Sequence, residues 1–292
     1  MPSPIVLSFD VEEHDRIEAA VGLTVSPELK RAYADRMEAA TRRLLDQLAA
    51  AGNAPATFYV VGEIAVSHPK LIRDITAAGH EVASHSHTHW RVHRFTPETF
   101  REDLRRSVDA LEQAGGVKVV GFRAPTFSLM KSTAWAVDEL LRVGLTYDSS
   151  IFPVRHDRYG VPAAPRGPFF LEGSAGRILE LPPLTLRTLG LNLPVAGGGY
   201  FRLFPLAFMR AGLKQVADVP NGLGMLYFHP WEFDPGQPKL PLGRVSKLRT
   251  YVGVAKSERR LGRLLQAYQG RFRRAADVAR ELAATDLPTY RL

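Results

Sequence analysis

Short apolar runs alternate with segments of helical periodicity through residues 4–152, and this alternation limits the folds that are open to the chain. The runs have the length of buried strands, whereas a segment such as 35–52 places Leu44 and Leu48 on one helical face and ends in glycine. Four consecutive strand–helix units predict an α/β protein with a parallel sheet, either open or closed into a barrel. The predicted strands are 4–11, 56–61, 80–84, 117–125 and 145–152, and the predicted helices are 35–52, 69–79, 96–116 and 132–144.

The pattern becomes less regular after residue 152. Proline and glycine crowd residues 153–224, which predicts loops and short strands laid over the main body. Regularity returns in a predicted strand at 222–233 and a predicted helix at 257–270. We therefore expect a main domain at 1–235, with 153–224 as an irregular region within it, and a basic helical extension at 236–292 packed on that domain. The apolar stripe of the last helix consists of Leu261, Leu264, Leu265 and Tyr268.

The positive charge of the chain is concentrated near its C-terminal end. The net charge is +8 over 292 residues, and the segment 239–280 alone holds twelve Lys or Arg residues against two acids. Such a segment is typical of a solvated face, of a surface that binds anionic lipid, or of one that binds nucleic acid. No nucleic-acid motif accompanies it, so we expect no nucleic-acid partner. The first residues show no basic stretch followed by an apolar one, which favours a cytoplasmic protein.

Unusual polar residues follow the predicted strands, one set after another. Because the C-terminal ends of the strands in a β/α barrel meet on one face, where active sites are built, these side chains are candidates for a single site. Core stability alone would not require charged groups at the ends of successive strands. The residues are Asp10 and Glu12 after the first strand, His85 and His89 after the third, Arg123 after the fourth, Asp148 after the fifth and His229 after the last.

Four of the nine histidines fall within residues 82–93, and two of them are spaced as His-x-x-x-His. His85 and His89 can converge on one cation if the chain turns between them, and with one carboxylate they make a three-ligand site that keeps a position open. The chain has no cysteine, so a metal here requires His, Asp, Glu or water. The alternative is a polar loop whose histidines bond to backbone carbonyls. His87 must point away if the turn is helical.

Five motifs give the chain a resemblance to the polysaccharide deacetylases of carbohydrate esterase family 4, which contain a NodB homology domain. They occur in the order and spacing of that family and span residues 5–232. The basic end is similar to the C-terminal extension of deacetylases from bacterial exopolysaccharide and exosortase gene clusters. The motifs are SFDVE at 8–12, HSHTH at 85–89, RAPT at 123–126, YDSS at 147–150 and LYFHPWE at 226–232.

The resemblance implies a distorted (β/α) barrel and a role for each residue in the motifs. Glu12, His85 and His89 would hold a divalent metal, with zinc as the expected ion. Asp10 would act as the base and His229 as the acid. The resemblance further places Arg123 against Asp10, Asp148 against His229, the Thr126 backbone N–H at the oxyanion, and Trp231 at the substrate.

Several assignments stay open at this level. Many family members have two adjacent aspartates in the first motif, whereas this chain has Asp-Val-Glu-Glu, so Glu13 could replace Glu12 if the strand bulges. Glu232 or Asp234 could replace Asp148 beside His229. The indole of Trp231 suits packing as well as sugar stacking. We expect His14 and His68 at the surface.

Three classes of function fit these residues. The first is a metal-dependent hydrolase that removes N-acetyl groups from an amino sugar of a polysaccharide or its lipid-linked precursor. The second is a metal-independent amidohydrolase of small cyclic amides, resembling allantoinases, for which the histidine pair would be superfluous. The third is a non-catalytic glycan-binding relative, which would be expected to lack one of the catalytic or ligand residues. For the first class, the basic end predicts reversible adhesion to anionic membrane without insertion.

Overall fold

A barrel-like sheet surrounded by helices forms the body of the protein in a computed structural model that describes residues 3–156, 158–219 and 221–292. The described residues form twelve β-strands and ten α-helices. The strands are β1 Ile5–Val11, β2 Thr57–Val60, β3 Glu81–Ser84, β4 Gly121–Phe122, β5 Tyr147–Asp148, β6 Phe169–Glu172, β7 Arg177–Glu180, β8 Thr185–Thr188, β9 Leu191–Pro194, β10 Gly224–Phe228, β11 Phe272–Arg273 and β12 Thr289–Tyr290. The helices are α1 Pro27–Ala50, α2 Gly62–Ser67, α3 Pro69–Ala77, α4 Pro97–Gly115, α5 Ala136–Val143, α6 Gly198–Leu203, α7 Leu206–Gln215, α8 Arg244–Tyr251, α9 Val254–Ala267 and α10 Ala275–Leu282.

The main sheet is mostly parallel, as the strand–helix alternation predicts. Its strands follow the order β10-β1-β2-β3-β4-β5-β7-β6-β12, with β11 paired to β1 and only β6 antiparallel to its neighbour β7. The sheet is closed by residues that are not part of a long strand. Pro183 bridges Met225, Leu184 donates its N–H to the Met225 carbonyl, and Gly197 bridges Tyr227. The predicted α/β class and distorted barrel are thus confirmed.

Helix ends follow local sequence signals. Thr96 caps α4 by accepting the Thr99 N–H, Pro97 occupies the first helical position, and Gly116 ends the helix in the left-handed conformation at φ 64°. Helix α1 begins at Pro27, eight residues before the predicted start, because Ser26 caps it and Tyr33 and Met37 continue its buried face. The predicted start at residue 35 was therefore wrong.

The region 153–224 is more regular than the sequence predicts. It contributes β6 and β7 to the main sheet, forms the β8–β9 hairpin and contains helices α6 and α7. Loops and short strands account for only part of it, and the expectation missed both helices. Each of these helices has at most ten residues, which gives little periodic signal.

The basic C-terminal segment is integrated into the barrel. β11 pairs with β1, β12 pairs with β6, and Leu261, Leu264 and Leu265 of α9 are buried in the main core. The apolar stripe of α9 therefore packs against protein, as expected. The division at residue 235 remains a prediction, but the segment that follows it supplies two strands as well as helices.

Candidate active site

The C-terminal ends of β1, β3, β4 and β10 bring the predicted residues to one face of the barrel. Asp10 lies in β1 and Glu12 directly follows it, while His85, Arg123 and His229 are the first residues after β3, β4 and β10. Parallel pairing in register, with Phe9 opposite Phe228 and Ser84 opposite Phe122, aligns these ends. A cavity of about 160 Å³ opens between them. Of the nine predicted site residues, seven line this cavity: Asp10, Glu12, His85, His89, Thr126, His229 and Trp231.

Glu12, His85 and His89 form a three-residue cluster. Each offers a ligand atom, and the three atoms lie within 4.8 Å of one another. His89 Nε2 is 2.5 Å from Glu12 Oε2. Glu13, the alternative in the first motif, lies outside the cluster and pairs with Arg16 at 2.5 Å. The structure therefore brings Glu12, and not Glu13, to the two histidines.

A buried aspartate that the sequence analysis missed shapes the loop between the two histidines. The Asp103 carboxylate of α4 accepts hydrogen bonds from Ser86 Oγ, the His87 N–H, and both the N–H and the hydroxyl of Thr88. Ser86 and His89 both have positive φ, at 66° and 61°, so the turn is tight. Helical spacing could have identified it, because Asp103 falls on the face of Phe100, Leu104 and Leu111, whereas the exposed Glu102 and Asp109 do not.

The protonation of His85 suits a metal ligand. Its Nδ1 lies 2.8 Å from the Arg123 carbonyl, so Nδ1 carries the hydrogen and Nε2 is left with a free lone pair. Burial lowers the pKa of His85 to about 4, which keeps the ring neutral near pH 7. Among the described residues, His89 Nε2 is a buried nitrogen without a hydrogen bond of acceptable geometry. Neutral imidazoles with an available nitrogen are the form in which histidine binds metal.

Arg123 lies beneath Asp10, as the family resemblance implies. Its side chain is fully buried, and Nη1 donates to Asp10 Oδ1 at 2.6 Å and to Ser8 Oγ at 2.8 Å. Nη2 donates to Ser149 Oγ at 2.9 Å, and the guanidinium stacks 4.0 Å from the centre of the Tyr59 ring. Arg123 thus holds the Asp10 carboxylate in a fixed orientation from the side opposite the cavity.

The partner of His229 differs from the expected one. His229 Nδ1 lies 3.4 Å from Glu232 Oε2, and the same oxygen accepts the His229 backbone N–H at 3.1 Å. Burial opposes protonation of the ring, but the carboxylates of Glu12, Glu232 and Asp10 outweigh it and raise the pKa of His229 to about 9. His229 Nε2 faces the cavity, 4.0 Å from Asp10 Oδ2.

The pairing of Asp148 with His229 was a wrong prediction. Asp148 lies at the end of β5 and accepts the Ser150 hydroxyl at 2.5 Å. Burial raises the pKa of Asp148 to about 6, and its other neighbour is the Glu180 carboxyl, whose pKa burial raises well above its usual range. The two carboxyls therefore share a proton away from His229. The alternative partner considered from the sequence, Glu232, occupies the position beside the histidine.

Trp231 and Thr126 form parts of the cavity wall. The Trp231 indole is 7% exposed, stacks on His229 at 5.3 Å and donates from Nε1 to Glu12 Oε1 at 3.2 Å. It therefore packs the site and orients Glu12. Thr126 has a φ of 57°, which is unusual for a β-branched residue, and strained turns of this kind concentrate at functional sites.

The histidines His87, His14 and His68 lie outside the three-residue cluster. His87 points away from the cluster to Arg106, with 3.0 Å between Nε2 and Nη2, as expected. The expectation that His14 lies at the surface was wrong, because its ring is 2% exposed and packs against Tyr33 and Trp231. His68 is half-buried.

Two family models match consecutive parts of the chain. Residues 28–147 match the model described as Polysaccharide deacetylase, and residues 149–280 match a domain of unknown function, DUF3473. The boundary between the two models falls inside the barrel, directly after β5. Because β7 and β10 in the second match complete the sheet begun in the first, both parts belong to one fold.

Individual relatives agree with the first model. The chain is 38% identical over 60 residues to a chitooligosaccharide deacetylase of Bradyrhizobium and 51% identical over 49 residues to one of Sinorhizobium fredii. These matches cover 20% and 17% of this chain and 27% and 22% of the two relatives, so the chain matches about a quarter of their length.

Solved structures with the same fold cover almost the whole chain. A protein from Mycobacterium smegmatis assigned to the polysaccharide deacetylases has a TM-score of 0.65 at 24% identity, over 100% of this chain and 98% of its own. The allantoinase Puue has a TM-score of 0.65 at 17% identity, over 96% and 90% of the two chains. These two likenesses concern the fold alone. Residues 28–147 of the chain match the polysaccharide deacetylase family, and the chitooligosaccharide deacetylases are similar to part of the chain.

Proposed function

We propose that this protein is a metal-dependent hydrolase that removes N-acetyl groups from an amino sugar of a polysaccharide or of its lipid-linked precursor. The observation that carries the proposal is the convergence of a carboxylate held by an arginine, a three-residue ligand cluster and a histidine with raised pKa in one cavity. The chitooligosaccharide deacetylases to which the chain is similar support an amino-sugar substrate.

The residues of the cluster fit a divalent metal, and zinc is the ion that we propose. The imidazoles of His85 and His89 and the carboxylate of Glu12 form a common three-ligand zinc set with a position left open. Although burial opposes its ionisation, the neighbouring histidines hold the pKa of Glu12 well below its usual range, so the carboxylate is charged. When bound, such an ion polarises the amide carbonyl and stabilises the negative charge that develops on its oxygen.

Asp10 and His229 perform the two proton transfers. Asp10, oriented by Arg123, accepts a proton from the water that attacks the acetyl carbon. His229, whose raised pKa keeps it protonated near neutral pH, donates a proton to the nitrogen as the carbon–nitrogen bond breaks. The products are acetate and a free amine. The Thr126 backbone N–H assists at the carbonyl oxygen from the strained turn in the cavity wall.

Metal content and acetate release test this function together. The purified protein should bind about one divalent ion and release acetate from N-acetylglucosamine oligomers, whereas His85→Ala should lose both properties and remain folded. His93→Ala is the matched control, because His93 is an exposed histidine of the same segment outside the cluster. Full activity of His85→Ala without metal would contradict the assignment. Hydrolysis of allantoin in place of the oligomers would favour the alternative amidohydrolase.

A lipid-linked substrate would place the enzyme at a membrane surface, and we include reversible adhesion to the cytoplasmic face in the proposal. Helices α8 and α9 present six exposed basic side chains, each of which contributes ~1 kcal/mol near an anionic surface. In the part of the chain that the structure describes, no helix has the length and apolarity to cross a bilayer. The six are Arg244, Lys247, Arg249, Lys256, Arg259 and Arg263.

Co-sedimentation with vesicles tests the adhesion. Binding to vesicles that contain anionic lipid should be strong at low salt and weak at high salt, and should fall when Lys256, Arg259 and Arg263 are replaced by glutamine. Arg260 is left intact because its guanidinium packs on Phe201, with 5.1 Å between Cζ and the ring centre. Equal binding to neutral vesicles, or no binding at low salt, would contradict the proposal.

A further inference from the structure

A buried arginine within residues 149–280, Arg202, contacts Glu232, and Glu232 in turn contacts the active-site histidine His229. Arg202 of α6 is 5% exposed, and its Nε donates to Glu232 Oε1 at 2.9 Å. Its Nη1 donates to the carbonyls that end α8, with the Thr250 oxygen at 2.7 Å and the Val252 oxygen at 3.0 Å. The guanidinium therefore joins three segments that are distant in sequence.

Glu232 connects this arginine to His229. Its side chain is fully buried, and its second oxygen contacts both the backbone N–H of His229, at 3.1 Å, and the ring Nδ1, at 3.4 Å. One carboxylate oxygen thus accepts a hydrogen bond from the main chain of His229 and lies at ion-pair distance from the ring of the same residue. Because His229 lies at the end of β10 and its Nε2 faces the cavity, the restraint at Nδ1 determines where Nε2 points.

The charge of Arg202 is needed for this arrangement. A carboxylate without solvent contact is costly unless it is paired and hydrogen-bonded. Arg202 supplies the opposite charge on one oxygen and leaves the other oxygen for His229. It also lies 5.4 Å from the centre of the Trp231 ring, which stacks on His229.

We propose that Arg202 and Glu232 act as a positioning pair that holds the His229 ring toward the cavity and connects it to the C-terminal end of α8. The inference rests on the proposed function and extends it. Arg202 and the α8 carbonyls lie within residues 149–280, so the part of the chain that matches the model of unknown function completes the deacetylase site. Neither residue contacts the substrate cavity, so both act through the histidine.

Kinetics of four variants test the pair. Glu232→Gln and Arg202→Met should lower kcat about 10- to 100-fold, the size of loss seen when the carboxylate that orients a metal-bound histidine is removed. KM and metal content should stay within twofold of the wild-type values. Arg202→Lys, which keeps the charge, should recover part of kcat. Arg36→Met is the matched control. Arg36 Nε forms a similar pair with Oδ2 of Asp234, two residues after Glu232, at 2.6 Å, and Arg36 does not contact His229.

The same substitution made in the His229→Ala variant distinguishes positioning of the ring from a general disturbance of the structure. In His229→Ala, the further change Arg202→Met should lower the residual rate no more, because the residue through which it acts is already absent. An additional loss comparable to that in the wild-type background would overturn the proposal, as would wild-type kcat in folded Glu232→Gln.

A readout that does not depend on activity keeps the inference distinct from the proposed function. The ¹⁵N chemical shift of His229 Nδ1 in histidine-labelled protein should change in Glu232→Gln and Arg202→Met and stay unchanged in Arg36→Met. If no substrate is hydrolysed but the shift changes, the function is wrong and the positioning pair is right. An unchanged shift in both variants would overturn the pair whatever the activity.

Discussion

Replacement of Arg123 by methionine should reduce stability far more than the loss of a surface ion pair. Methionine fills most of the apolar volume but leaves the Asp10 carboxylate, which is 3% exposed, without its counter-charge. It also removes two guanidinium donors, Nη1, which lies 2.8 Å from Ser8 Oγ, and Nη2, which lies 2.9 Å from Ser149 Oγ. Removal of one partner from a buried ion pair costs ~3–5 kcal/mol. We expect a loss of this size in the free energy of unfolding.

Urea-induced unfolding followed by tryptophan fluorescence measures this loss. Lys70→Met serves as the control, because Lys70 pairs with Asp74 at 3.0 Å while 71% exposed, and such pairs contribute about 0–1 kcal/mol. Adding Asp10→Asn to Arg123→Met should restore part of the stability, since a neutral amide needs no counter-charge. The reasoning is refuted if Arg123→Met lies within 1 kcal/mol of the wild-type value, or if the double variant is no more stable than the single one.

Three further outcomes follow from single side chains. Asp10→Asn should keep its metal and lose turnover by on the order of 10²-fold or more, measured by acetate release beside metal analysis; loss of the metal would instead make Asp10 a ligand. Burial lowers the pKa of His80 to about 4, so the neutral ring stabilises the fold above pH 6.5 and this contribution is lost as the pH falls toward 4. Replacement of His80 by asparagine should therefore reduce the slope with which the free energy of unfolding falls between pH 6.5 and pH 4. One such group contributes at most ~1.4 kcal/mol per pH unit to this slope. Trp90 is 50% exposed beside a polar cavity of about 340 Å³ next to the site. Its replacement by alanine should raise KM for long oligomers roughly 2- to 10-fold, the effect of losing one aromatic contact, and should leave KM for a single sugar unchanged.

The location of the site could be predicted because it depends on topology. The C-terminal ends of parallel strands meet on one face, so Asp10, His85 and His229 come together whatever the details of the loops. Strand geometry favoured Glu12 as the carboxylate of the cluster, since residues 10 and 12 share a face, but it left Glu13 open if the strand bulged. These inferences required only the order of the elements and the period of a strand.

The partner of His229 could not be predicted in the same way. Its choice depends on the short turn Pro230–Phe233, which returns the Glu232 side chain to the histidine, and on Arg202 from a helix of six residues. Asp148 ends a strand on the same face, but its neighbour across the sheet is Glu180, and two buried carboxyls that share a proton satisfy each other. Such preferences are set by side-chain contacts between distant segments, which periodicity does not report.

The start of α1 was predicted wrongly for a different reason. Ser26 and Pro27 form a recognisable N-terminal signal, but Leu29 and Tyr33 are too few apolar residues to suggest a helical face over the first two turns. The burial of His14 was missed because a short 3-10 turn directs it between aromatic rings of α1 and the turn after β10.

The order of the strands along the chain decides when the site can assemble during translation. β1 carries Asp10 and is made first, but one of its edges has no partner until β10, at Gly224–Phe228, leaves the ribosome. Pairings between segments so far apart form slowly and leave apolar strands accessible to aggregation or to chaperones in the meantime. The proposed base therefore has no proposed acid beside it until the strand that precedes His229 has been synthesised. A nascent chain that stops short of His229 lacks the acid of the proposed reaction, so the site cannot be complete before β10 has paired with β1.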